Sequence, residues 1–461
     1  MNLVAGIDSS TQSTKVVVCD AETGTVVREG RAPHPDGTTA DPEDWWRALA
    51  TASDGLLDDV AAIGVAAQQH GMVALDEQGT PVRPALLWND NRSAQAAIDL
   101  TQELGGPQAC AEAIGSVPVA SLTASKLRWL AEHEPHLADR VTDVLLPHDW
   151  LTWRLTGEFV TDRGDASGTG YWSPSEGRYL EDLLATAFGG RTPRTPRVLG
   201  PAEAAGQTRD GKLVSAGTGD NMGAALGLDV RPGDVVVSLG TSGTVFATAD
   251  RPSADPTGQI AGFADATGGF LPLVCTLNAA RVLTATATML GVETTEFDEL
   301  ACRAEPGAGG LALLPYLDGE RTPILPDATG TLAGLRRDNM TPENLARAAV
   351  EGMLCGLAAG VDALRAEGVE VGRVLLIGGA AQSRAVQVAA PLIFGVPVTV
   401  PAPAEYVARG AARQAAWALA GTAKPPEWAL PGAAELEVTD AEAGARIRDQ
   451  HTNAFTQVHG N

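Results

Sequence analysis

The 461-residue chain is 44% apolar and 20% charged, carries a formal net charge of −24, and contains only four lysines, Lys15, Lys126, Lys212 and Lys424. That length points to two or three domains, because single cores seldom grow past about 250–300 residues. The acidity and the lack of any basic stripe exclude nucleic acid and anionic membranes as partners, and leave an anionic ligand in need of local backbone donors, a metal ion or a placed cation. Apolar, β-branched runs bounded by turn residues are predicted as strands at 3–7, 15–19 and 61–66, then at 234–239, 244–249 and 374–377. Ala/Leu-rich stretches between and after them are predicted as helices at 42–57, 94–104, 124–133, 342–367 and 407–420. Alternation of the two marks an α/β protein. The Pro-rich 191–201 stretch and the tail after 420 read as surface loops.

The five cysteines are scattered and form no C-x-x-C pair, which fits reduced thiols in a cytoplasmic protein better than a disulfide framework or a zinc site. The opening MNLVAGIDSS has no basic region and reaches Asp8 within one strand's length, which argues against a secretory signal. No apolar run of membrane-spanning length follows.

One unit occurs twice. Near residue 3 the chain runs strand, DSSTQST turn, strand (KVVVCD); near residue 234 it runs strand, SLGTSGT turn, strand (TVFATAD). Small residues in such turns let the backbone approach a ligand, and successive N–H groups with hydroxyls can wrap phosphate oxygens. Asp8 and Lys15 add a carboxylate for a metal and a cation for phosphate. Each turn alone reads rather as an ordinary hairpin; as a pair, they favour a nucleotide held between two related domains. No G-x-x-x-x-G-K-[ST] is present, and the first strand is followed by DSST without glycine, so neither a P-loop nor a dinucleotide fold is expected. In a third turn, SAGTGDNMGAALGL, Asp220 and Asn221 open a small-residue helix. Asp220 could accept a proton from a hydroxyl during phosphoryl transfer; on spacing alone it reads as a helix cap.

These residues sit within a wider pattern. SLTASKLRWLAEH (121–133), with Lys126 and Trp129 in place, and GTLAGLRRDNMTPENLARAAVE (330–351) resemble the two signatures of the FGGY carbohydrate kinases, members of the actin-like ATPase superfamily. QQHGMVALD, LLWNDNRS, LPHDWL, LPYLDGERTP and LLIGGAAQS are similar to further family segments and come in the family's order, most like its xylulose kinases. The resemblance covers nearly the whole chain. It implies two actin-like (RNase-H-type) α/β domains, 1–220 and 221–461, with a catalytic cleft between them, the first binding sugar and the second ATP.

The resemblance also implies roles. Asp220 matches the catalytic base, and Asp8 with Asp220 would hold Mg²⁺. Thr11, Gln12, Ser13 and Lys15 fall in the first phosphate loop, Thr241 and Ser242 in the second, and Gly378, Gly379 and Ser383 in the adenosine-side loop. Gln69, His70, Trp88, Asp220 and Asn221 match sugar-contacting positions; Trp88 reads equally as a core aromatic. The implied reaction is transfer of the γ-phosphoryl group of Mg·ATP to D-xylulose. Its alternatives are another polyol (ribulose, gluconate, erythritol) and a sugar-independent actin-like ATPase. A small-molecule sugar and ATP are the expected partners, and a homodimer is compatible.

Several positions depart from the family pattern. Ser10 replaces a usual glycine, Gln69 stands where many xylulose kinases have Met, and GGAAQS replaces the commoner GGGARS.

Overall fold

The structure, a computed structural model, describes residues 2–430 and 432–460. It divides into two compact units. The first comprises Met1–Asp229, Ala249–Leu271 and Ala404–Ala429, the second Val230–Thr248, Pro272–Pro403 and Leu430–Asn461. The division therefore does not run through 220/221. The helix Asp220–Gly227 stays with the first unit because it packs on the helix Tyr406–Ala420, which returns to that unit from far along the chain.

The first unit is built on a mixed sheet in the order Ala204–Gln207, Leu213–Ser215, Val60–Ala67, Leu3–Ser9, Ser13–Asp20, Val26–Pro33. Its central strands are apolar on both faces, as expected where helices cover both sides. Ile7, Val16, Val18, Ile63 and Val65 pack with Trp45 and Leu49 of the helix Pro42–Ala52 and with Trp150 and Leu151 of the helix Pro147–Thr156. Their neighbours Val4, Val17, Cys19 and Ala62 face the opposite way, onto Ala408, Ala412 and Ala415 of the Tyr406–Ala420 helix. That helix lies unusually close. A Cβ on Gly6 would stand 1.8 Å from the Ala408 carbonyl oxygen, and one on Gly64 would stand 2.0 Å from that of Ala411.

The second unit repeats the plan. Asp234–Leu239 pairs antiparallel with Gly243–Ala247 and parallel with Arg373–Ile377, as Leu3–Ser9 pairs antiparallel with Ser13–Asp20 and parallel with Val60–Ala67. The echo of two turns in the sequence is thus an echo of two sheets. The long helix Pro342–Ala366 begins as its sequence dictates: Pro342 occupies the first turn and the Thr341 side chain accepts from Asn344 N.

Two expectations are corrected. The helix begun at Pro42 ends at Ala52 and not at 57, because Gly55 (φ +67°) and the turns around it leave helical geometry. The tail after 420 is not loop: it forms the strand Ala434–Leu436, paired with Val398–Val400, and the 19-residue helix Ala441–His459. Asp440 caps this helix through Ala443 N, and only Ala443, Gly444, Ile447 and Ala454 of it are buried. So sparse an apolar stripe gave the sequence little helical period. Among the described residues no helix is long and apolar enough to cross a membrane.

Candidate active site

The topology of the first unit gathers three strand ends. Val60–Ala67 runs parallel to Leu3–Ser9 on one side and to Thr218–Gly219 on the other, so that Ala66 is flanked by Asp8 and Thr218. Just past these carboxyl ends come Gln69 and His70 from one strand and Asp220 and Asn221 from the other. Ligands in open α/β sheets gather at such ends.

Asp8 is 1% exposed. Ser10 Oγ donates to its Oδ1 at 2.5 Å, and Lys15 Nζ stands 3.5 Å from its Oδ2. The Ser10 departure from the family pattern thus supplies a donor to the carboxylate. Burial raises the Asp8 pKa, against the opposing pull of Lys15 and Ser10. Lys15 is opposite Asp8 in the strand register, as the turn required, but it is shared: its ammonium also pairs with Glu405 at 2.7 Å. Sequence reasoning missed Glu405, since no local motif links it to a strand 390 residues earlier. Elsewhere in the turn, Gln12 is exposed and Ser13 is buried at the start of the second strand, and Thr11 Oγ1 accepts from Trp88 Nε1 at 2.8 Å. Trp88, 38% exposed, is therefore no core aromatic; its indole is tied to the first turn.

Asp220 is the first residue of its helix, not the cap. The cap is Gly219, with no side-chain bond. A Cβ at Gly219 would stand within 3 Å of Gln69 and Asp165 atoms, which is why glycine precedes the aspartate. Asp220 Oδ1 accepts from Asn221 N (2.8 Å) and Nδ2 (2.9 Å), and the same Nδ2 donates to Gln69 Oε1 at 3.0 Å. Burial first, and the charge of Asp8 second, push the Asp220 carboxyl up to about 7. A carboxylate poised there suits a general base at neutral pH.

His70 has φ +66°, a left-handed backbone uncommon outside glycine. Its carbonyl accepts from Lys126 Nζ (3.0 Å) and Thr123 Oγ1 (3.3 Å), its Nδ1 meets the Gly168 carbonyl at 2.8 Å, and its ring packs on Phe263. With Nδ1 on a carbonyl and the ring packed on Phe263, the orientation of the imidazole is fixed. Lys126, matched in the sequence without a role, is therefore a support for His70.

In the second unit the turn Thr241–Ser242 joins its two hairpin strands, with Thr241 exposed. Gly378, at φ +94°, follows the strand Arg373–Ile377 where a Cβ would meet the Leu239 carbonyl oxygen at 2.5 Å, and a Cβ on Gly379 would meet nothing within 4 Å. Ser383 is otherwise occupied. It caps the helix Arg384–Phe394 through Val386 N, and its hydroxyl donates to Asp298.

Residues 3–227 match the N-terminal domain, and residues 235–419 the C-terminal domain, of the FGGY family of carbohydrate kinases. The chain belongs to the FGGY family. It is 50% identical over 431 residues, 90% of this chain and 87% of the relative, to a xylulose kinase of Streptomyces coelicolor. It is also 35% identical, over 82% of each chain, to a xylulose kinase of Escherichia coli. Among solved structures, a xylulose kinase from Bifidobacterium adolescentis aligns with TM-score 0.90 and 44% identity over 98% of this chain and 99% of its own. The repeated α/β units are the actin-like ATPase fold of the sugar kinases, and this FGGY member is a carbohydrate kinase that takes ATP as phosphoryl donor.

Proposed function

We propose that this FGGY kinase phosphorylates D-xylulose to D-xylulose 5-phosphate, with Asp220 as general base. The observation that carries the base assignment is Asp220 itself. It lies at the end of a parallel strand with its pKa raised to about 7, and it is oriented by Asn221. The sugar assignment is supported by relatives up to 50% identical that are xylulose kinases. A terminal hydroxyl of the sugar gives its proton to Asp220 as its oxygen bonds the γ-phosphorus and the bond to the bridging oxygen of ADP breaks. His70 and Asn221 orient the polyol, Gln69 acts through its bond to Asn221, and Trp88 offers an apolar face to the sugar's C–H groups.

Asp8 and Asp220 fit Mg²⁺: they are hard oxygen donors, and the charge of Asp8 already raises the cost of ionising Asp220. When bound, the ion would neutralise charge on the phosphates. Thr11, Gln12, Ser13 and Lys15 of the first turn, and Thr241 and Ser242 of the second, would donate to phosphate oxygens, with Gly378 and Gly379 admitting the adenosine to the backbone. Ser383 would serve that loop as the cap of its helix. The acidity fits a cytoplasmic enzyme that binds no nucleic acid, and a homodimer is compatible with the reading.

The deciding experiment is coupled ADP release with D-xylulose, ribulose, gluconate and erythritol. D-Xylulose should give the highest kcat/KM. A higher value for another polyol would replace the substrate, and ADP release independent of any sugar would sink the kinase reading.

A further inference from the structure

Behind the base lies a fully buried cluster that the mechanism does not use: His148, Asp149, Asp162 and Asp165, all 3% exposed or less. His148 Nε2 lies 2.8 Å from the Ala216 carbonyl oxygen, to which it donates. His148 Nδ1 lies 2.9 Å from Asp165 Oδ2 and 3.1 Å from Asp149 Oδ1. Three of the other carboxylate oxygens have backbone or hydroxyl donors. Asp149 Oδ2 accepts from Leu146 N, and Asp162 accepts from Gly164 N, Asp165 N and Thr218 Oγ1. Two do not: Asp149 Oδ1, which only faces His148 Nδ1, and Asp165 Oδ1 are buried with no hydrogen-bond partner among the described residues.

A matching donor is beside Asp165 Oδ1. Gln69 Nε2 is likewise buried without a partner, while Gln69 Oε1 accepts from Asn221. Asp165 Oδ1 and Gln69 Cδ lie 2.8 and 2.9 Å from the point where a Cβ on Gly219 would sit, so the missing side chain of that glycine is what gives them a common space. A buried donor and a buried acceptor are each costly when unpaired; paired directly or through one water, they relieve both. Whether the proton of the His148–Asp165 pair rests on the imidazole or on Asp165 Oδ2, Oδ1 remains an acceptor.

This has a directional consequence. A side-chain amide can face either way, and its neighbours decide which. With Asp165 drawing Gln69 Nε2, Gln69 must present Oε1 to Asn221, and Asn221 must answer with Nδ2, the group that also donates to Asp220 Oδ1. Reversal of Gln69 would set two NH2 groups against each other, and the reversal of Asn221 that relieves this would turn its carbonyl oxygen onto the Asp220 carboxylate. We propose that Asp165, anchored on His148, is a positioning residue that fixes the sense of the Gln69–Asn221 amide chain and so orients Asp220. The proposal rests on the reading of Asp220 as base.

The test is steady-state kinetics on D165N, Q69M, the double variant and D220N. D165N should lower kcat roughly 10-fold or more while leaving KM for ATP and the melting temperature nearly unchanged, and Q69M should do likewise. Because the two act as one chain, the double variant should be no slower than the slower single. Unchanged kcat in D165N, or losses that multiply in the double variant, would overturn the proposal. If D165N does not fold, Q69E decides. Two carboxylates would then face each other at Gly219, so Q69E must be slower than Q69M; equal or faster turnover overturns the role. A stoichiometric divalent metal in the purified enzyme that is lost in H148N would also overturn it, because Asp165 would then be a ligand. D220N separates the two readings. Near-full activity there removes the base and this proposal together, whereas loss in D220N with full activity in D165N removes the positioning role alone.

Discussion

Lys126 Nζ stands 3.0 Å from the carbonyl oxygen of His70, a residue held at φ +66°. A non-glycine residue in that conformation carries strain of about 1–3 kcal/mol and persists only when its surroundings over-determine it. The buried Lys126 amine, whose pKa burial pushes down to about 7, is one of those restraints, with Thr123 Oγ1 beside it, and it donates to Ser121 O as well. Lys126→Met should release the peptide and misplace the imidazole. We expect KM for the sugar to rise about 10-fold or more, with KM for ATP within twofold. An equal rise in both constants would show that Lys126 serves the whole fold and not His70.

Asp220 couples activity to stability. Asp220→Asn should lower kcat by about 10²–10⁴, the usual scale for loss of a general base. The folded-state pKa of about 7 lies above the ordinary 3.8. Between those values the folded chain therefore binds more protons at Asp220 than the unfolded chain does. The contribution of this group to stability is full below about pH 4 and is lost as pH rises through 7. In magnesium-free buffer the variant should melt close to the wild type at pH 4 and clearly above it at pH 8, by up to about 4 kcal/mol if the whole displacement from 3.8 to about 7 is expressed. A difference that does not change with pH would mean that Asp220 is not held at a raised pKa.

Legibility in the sequence followed locality. The strands at 3–7, 61–66, 234–239 and 374–377 were readable because both faces are buried and the apolar runs are unbroken. Asp8 opposite Lys15 followed from the length of one hairpin turn. Asp220 was ambiguous because cap and base share a spacing; the difference lies in Gly219, which the crowding of Gln69 and Asp165 requires and which takes the cap position itself. Glu405 on Lys15, Lys126 on His70 and His148 on Asp165 were not legible as partners, since each joins residues distant in the chain. The return of the Tyr406–Ala420 helix to the first unit was hidden for the same reason.

Ser383 separates resemblance from geometry. Its hydroxyl accepts from Val386 N and donates to Asp298, whose carboxylate also accepts from Arg384 N and Ala385 N at 3.0 Å each. Ser383→Ala should cost about 1 kcal/mol of stability, the ordinary value of a lost N-cap, and leave KM for ATP within about threefold. A rise of 10-fold or more in that constant, without a change in melting, would show the hydroxyl to be a nucleotide contact.

The close seat of the Tyr406–Ala420 helix gives the sharpest packing test. A Cβ on Gly410 would stand 1.8 Å from the Gly223 carbonyl oxygen and 2.9 Å from Gly227 N, all within the helix that begins at Asp220. Backbone cannot swing aside as a side chain can, so Gly410→Ala must part the two helices. Overpacking of this kind costs about 1–3 kcal/mol and sometimes more. Because the displaced helix carries Asp220 at its first turn, kcat should fall with stability. Gly356→Ala, in the interior of the helix Pro342–Ala366 with nothing within 4 Å of its Cβ position, is the control. It gains helix propensity at no steric cost and should add up to about 1 kcal/mol. Urea midpoints of the two variants should move in opposite directions from the wild type. If Gly410→Ala melts with the wild type and keeps its turnover, the helix contact does not hold Asp220 in place.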